Sequence, residues 1–200
     1  MKHILLVLCA ALIALNTYAQ PDLKKAAKSV FTLKTFDTDG NMLSSTNGVF
    51  IGTGGEAIRN LEAFNGASRA IIIDSQGKEY AVECILGAND MYDVIKFRVA
   101  TKRSTAMPVS TDTLTGGAKA GSTVWLVPYS AKKTPEKIEG KVSKAELFLS
   151  KYTYYTIDME VPDNTVGCPF INDKGEIVGI LQQPAQTHSS TSYAVSAKFA

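Results

Sequence analysis

Between Val30 and Val195 the chain alternates apolar and polar residues in short runs separated by turn residues. Val30 to Phe36 alternates and stops at Asp39-Gly40-Asn41. Gly48 to Gly52 leads into Gly54-Gly55. Ala70 to Asp74 is β-branched and closes at Ser75-Gln76-Gly77. Glu79 to Leu86 and Val94 to Val99 come next, the latter in strict alternation. Later runs are Val124 to Val127, Ile138 to Val142, Tyr152 to Met159, Phe170-Ile171, Ile177 to Leu181 and Tyr193 to Val195. About a dozen short strands at roughly ten-residue spacing predict an all-β sandwich or barrel. Asp22 to Ser29, with its lysines and alanines, has helical character. Ser104 to Gly121 is rich in Ser, Thr and Gly and carries Pro108, so it reads as a linker between two halves. No low-complexity tract or internal repeat is visible.

The first residues have a different pattern. Lys2 precedes the apolar run Ile4 to Leu15, and Thr17-Tyr18-Ala19 places small residues three and one before a cleavage point. This pattern predicts a signal peptide over residues 1–19, too short for a membrane anchor, and hence an exported protein, periplasmic or secreted. Cys9 comes after a leucine inside the apolar run, which argues against lipid attachment. No later apolar run is long enough to span a bilayer.

Removing the signal changes the inventory more than the mass. The full chain has 21 Lys and Arg against 19 Asp and Glu. Loss of Lys2 leaves a net charge of +1, which gives no reason to expect nucleic acid or a charged membrane surface. Cys84 and Cys168 remain. More than eighty residues apart, they form no recognisable disulfide framework, and the favoured expectation is two buried, unpaired thiols. One histidine remains, His188, so a histidine base or a multi-histidine metal site has a single candidate.

Three stretches, in order, resemble trypsin-like serine proteases, most closely the bacterial Deg/HtrA-type branch. NGVFIGTGGEAIRNLEAFNGAS, from Asn47 to Ser68, is similar to the family's SGFxI and TNxHV segments, with Gly48, Phe50, Ile51, Gly55, Asn60, Gly66 and Ala67 in place. GANDMYDVIKFRV, from Gly87 to Val99, resembles the segment in which an aspartate opens a strand; Asp93 takes that position. DMEVPDNTVGCPFINDKGEIVGI, from Asp158 to Ile180, matches the family's nucleophile motif without a gap, with Asp158, Gly167, Pro169, Asn172, Gly175, Gly179 and Ile180 in agreement. The resemblance implies two packed antiparallel six-stranded β-barrels, the first over residues 29–105 and the second over 106–200, after a segment of 20–28. It also implies that Glu62, Asp93 and Val166 converge at the cleft between them. The family's last strand is succeeded by a helix. Here the chain ends at Ser196 to Ala200, so that helix is either lost or belongs to a longer product.

At the positions that carry the family's chemistry the chain departs from it. The catalytic histidine position holds Glu62, the nucleophile position holds Val166, and the glycine that helps form the oxyanion hole is replaced by Asn164. Acyl transfer needs an oxygen or sulfur nucleophile, a base within reach and an orienting acid. Val166 has no heteroatom, Glu62 is an anion where a neutral imidazole is needed, and Asp93 is left with nothing to orient. Loss of the nucleophile or base alone costs about a million-fold in turnover. Thr165, Cys168 and His188 are candidate replacements. Thr165 points elsewhere in a sharp turn, Cys168 is expected to be a buried inert thiol, and His188 reads as a solvated loop residue. Glu62 and Asp93 supply only two ligands, so no metal is expected, and no cofactor. Pro184 removes an amide from the edge that pairs with substrate in the family. The expectation is a catalytically inactive homologue that binds a polypeptide or peptide in the cleft near Leu181, Gln182, Gln183 and His188. Its rivals are a weak or relocated hydrolase and a structural domain of a longer envelope protein.

Overall fold

The computed structural model describes residues 20–112, 117–131, 133–148, 152–182 and 190–197. Helix α1, Leu23–Ala27, is a single turn capped by Asp22, whose Oδ1 accepts from the Lys25 amide at 3.0 Å. A short polar side chain there satisfies one of the amides that a helix start leaves open. Ala26 and Ala27 bury the inner face of this turn.

Twelve strands come after it among the described residues. The first six are β1 Val30–Phe36, β2 Met42–Phe50, β3 Glu56–Arg59, β4 Arg69–Ile73, β5 Glu79–Asn89 and β6 Val94–Val99. They close in the order β1-β2-β3-β6-β5-β4, with β4 pairing back onto β1. The next six are β7 Thr123–Leu126, β8 Ile138–Phe148, β9 Tyr152–Asp158, β10 Pro169–Ile171, β11 Ile177–Leu181 and β12 Thr191–Ser196. They close as β7-β8-β9-β12-β11-β10, the same order shifted by six strands. The duplication is one of topology. Two closed six-stranded antiparallel barrels is the architecture that the resemblance implied, and closure leaves no free sheet edge to protect.

The first barrel has its own interior, built from Phe31, Leu33, Phe50, Ala57, Ile72, Ile95, Phe97 and Val99. Phe31 meets Phe50 edge-on with ring centroids 4.8 Å apart. The opposite faces of its strands contribute Val30, Val49, Ile58 and Val94 to a larger cluster shared with the second barrel. That explains why β3 does not stand out in the sequence. Ala57 serves one core and Ile58 the other, so the strand is buried on both faces and shows no polar alternation.

The Ser104–Gly121 connector is packed where it is described. Met107 and Ser110 are buried; the Met107 amide donates to Phe50 O, the Ser110 amide to Ile177 O and the Ile177 amide to Pro108 O. Cys84 and Cys168 are both free. Cys168 is fully buried, as expected, but Cys84 is exposed. The physical reason is that β5 lies largely on the surface, with a bulge between Val82 and Cys84, and it leaves Ile85 and Leu86 exposed as well.

Candidate functional site

On the first-barrel side the cleft is built by the end of β3 and the turn after it. Arg59 ends β3, Asn60 turns the chain, and Leu61–Phe64 forms one 3-10 turn carrying Glu62. This turn is held from the start of β6. The Asp93 carbonyl accepts the Leu61 amide at 3.1 Å, and Asp93 Oδ1 accepts the Glu62 amide at 2.7 Å. Asp93 Oδ2 accepts from the Asn60 side chain at 3.2 Å. Asp93 adopts a left-handed backbone, φ 51°, which a short polar side chain tolerates better than most. Its carboxylate is therefore occupied in fixing the Glu62 turn, and no imidazole stands there for it to orient.

The second-barrel side is the turn from Asn164 to Cys168. The Val166 carbonyl accepts three donors from β2: the Thr46 hydroxyl at 2.9 Å, the Asn47 amide at 3.1 Å and Asn47 Nδ2 at 3.1 Å. Asn47 Nδ2 also donates to the Asn164 carbonyl at 2.6 Å. Gly167 packs so closely on Asn47 that a Cβ would meet its carbonyl oxygen, and its φ of 83° favours glycine. Asn164 itself sits at φ 62°. Asparagine is among the few side chains that enter this region readily, so the turn carries a side chain at this position.

Glu62, Asp93 and Val166 line one cavity of about 670 Å³, together with Leu43, Arg59, Asn60, Gln182 and Tyr193 among others. The three residues expected to converge thus line one cavity, with wall residues from both barrels. Thr165 is not with them. Its hydroxyl donates to Pro162 O at 2.6 Å, and the residue lines a separate cavity of about 440 Å³ beside Asn164. Cys168 is sealed, and burial pushes its thiol up to about 12, so it carries no thiolate at neutral pH. Leu181, expected near the binding cleft, is fully buried in the shared core, whereas Gln182 lines the cavity and donates to Tyr92 O at 3.3 Å. Gln183, Pro184 and His188 lie outside the described residues.

One residue of the site does not stand out in the sequence. Arg59 is 2 % exposed, and its Nε and Nη1 find no hydrogen-bond partner. Burial lowers its pKa to about 10, against the pull of the Asp93 and Glu62 charges, so it stays a cation at neutral pH. The only sequence signal is its place two residues after Ala57, which belongs to the first barrel's interior. A charge in that register is rare enough to question.

Fold and site together define a two-barrel all-β protein of chymotrypsin-like architecture whose inter-barrel cavity carries Glu62, Asp93 and Val166. No protein-family model matches the chain, and the search of curated proteins returned no match.

Proposed function

We propose that the chain is an exported, catalytically inactive homologue of trypsin-like serine proteases, nearest the bacterial Deg/HtrA-type branch, that binds polypeptide in the cleft between its barrels. The observation that carries this reading is Val166. It lines the same cavity as Glu62 and Asp93, in a turn whose motif runs ungapped from Asp158 to Ile180, and it has no atom with which to attack a carbonyl. The nearest substitutes count against a relocated hydrolase: the Thr165 hydroxyl is engaged by a local carbonyl, and the Cys168 thiol is buried and protonated. The signal-like pattern of residues 1–19 supports export.

The test is turnover of a casein substrate by the native chain, by Val166→Ser and by Glu62→His with Val166→Ser. The native chain and the single variant are expected to show none, because position 62 still holds a carboxylate. Robust turnover by the native chain would refute inactivity. Robust turnover by Val166→Ser alone would refute the role assigned to position 62, and the double variant shows how much of the remaining machinery is intact.

A further inference from the structure

Two adjacent side chains of the cavity wall end in atoms that the fold leaves unused. Arg59 offers Nε and Nη1 with no acceptor. Asn60 is 3 % exposed; its amide nitrogen is committed to Asp93, and its Oδ1 has no donor. Both residues line the cavity that holds Glu62, Asp93 and Val166. A buried polar atom without a partner is destabilising, and a charged one more so. Unpaired groups of this kind are rare in native folds and ask for a reason. Here the two are of opposite kinds, a cationic donor and a neutral acceptor. The group that satisfies both must accept at one end and donate at the other.

Charge narrows the choice further. The wall's ionised side chains are Arg59, Glu62 and Asp93, a net charge of −1. A carboxylate would satisfy Arg59 but would leave Asn60 Oδ1 empty and add a third negative charge. A lysine side chain would satisfy Oδ1 but offers the guanidinium nothing. The first residue of a polypeptide has both ends: an α-ammonium and, close by on the same residue, a carbonyl oxygen. Its positive charge cancels that of the wall.

We propose that this cavity captures the free amino terminus of a polypeptide, with the α-ammonium on Asn60 Oδ1 and facing the Glu62 and Asp93 carboxylates, and the first carbonyl oxygen on the Arg59 guanidinium. The proposal rests on the peptide-binding reading of the cleft. Arg59 Nε and Nη1 and Asn60 Oδ1 are all sealed from solvent, so capture requires both side chains to turn toward the cavity. The guanidinium has no hydrogen bond at either nitrogen to give up in turning, whereas Asn60 must shift its bond to Asp93. Leu43 and Tyr193, 45 % and 41 % exposed, provide apolar surface at the rim for the first side chains of the bound segment.

Equilibrium dialysis of the purified chain against three probes tests this: a random-sequence nonapeptide mixture with free amino termini, the same mixture N-acetylated, and a mixture of free amino acids. The free-terminus peptides are expected to be retained, and acetylation to weaken retention at least about tenfold, equivalent to about 1.4 kcal/mol. Arg59→Met and the exposed Glu62→Gln are each expected to weaken retention of the free-terminus mixture, Arg59→Met more. Equal retention of the acetylated mixture overturns amino-terminus capture while leaving peptide binding intact. Retention of free amino acids with no peptide retained overturns peptide binding instead and leaves ammonium-and-carbonyl recognition standing. No retention of any probe overturns both. Glu62→Gln changes only a solvent-exposed side chain, so an unchanged retention by that variant counts against the proposal even where Arg59→Met fails to fold.

Discussion

The two walls of the cleft are held in opposite ways. On the second-barrel wall the Asn164–Cys168 turn is tied down: three donors from β2 converge on the Val166 carbonyl, Asn47 also clamps the Asn164 carbonyl, and Gly167 leaves no room for a side chain. On the first-barrel wall, Asp93 fixes the Glu62 turn, but next to it Arg59 and Asn60 end in unpaired atoms. The difference teaches where the fold has used its hydrogen bonds. The wall that carries Val166 is satisfied internally and offers a partner little. The wall that carries Glu62 has buried polar groups that the fold does not satisfy, which is costly in the free protein and useful only if something else satisfies them.

The comparison breaks most easily at the second wall. Gly167→Ala combines a left-handed backbone with a Cβ driven into the Asn47 carbonyl. The expected loss is about 3–4 kcal/mol, read as a lower urea midpoint at unchanged slope. A loss under about 1 kcal/mol would show that the turn yields easily and that the wall is not clamped. Asn47→Ala removes the side-chain donor to the Asn164 and Val166 carbonyls and leaves Asn164 O without it; about 2 kcal/mol is expected.

The first wall should answer in the other direction. Arg59→Met keeps the shape and removes an unpaired buried charge, partly offset by losing its attraction to Asp93 and Glu62. Stability is expected to rise by about 1 kcal/mol. A fall of about 2 kcal/mol or more would mean that Arg59 is compensated within the fold and is not waiting for a partner. The smallest effect concerns the thiols. Of Cys84 and Cys168, alkylation of the native protein near pH 8 should modify only Cys84, because Cys168 is sealed and its thiol lies near 12; unfolding should release Cys168. Two rapid modifications in the native state would show that the barrel-two wall opens.

Most of the fold can be read from the chain because both barrels use short strands bounded by Gly, Asn, Asp and Ser turns. The hairpin between β10 and β11 is one case: Asn172 Oδ1 accepts the Lys174 and Glu176 amides at 3.0 Å each, which is why Asn-Asp-Lys-Gly-Glu reads as a turn. β3 is hard to read because its residues serve two cores at once. Cys84 departs from expectation because an apolar run reads as buried, whereas β5 carries that run on the surface. At the site, the shared cavity of Glu62, Asp93 and Val166 is expected from the resemblance of the three stretches that carry them. The state of Arg59 is not, since pattern alone does not tell a charge on the solvent face of a strand from one sealed inside the fold.

Covalent labelling of the purified native chain with a broad fluorophosphonate probe, read by intact mass, tests the central claim most directly. On the proposed reading, in which Val166 stands at the nucleophile position and position 62 carries no imidazole, the mass should stay unchanged under conditions that label an active serine protease completely. A stoichiometric adduct mapped to any residue lining the cleft would contradict the account.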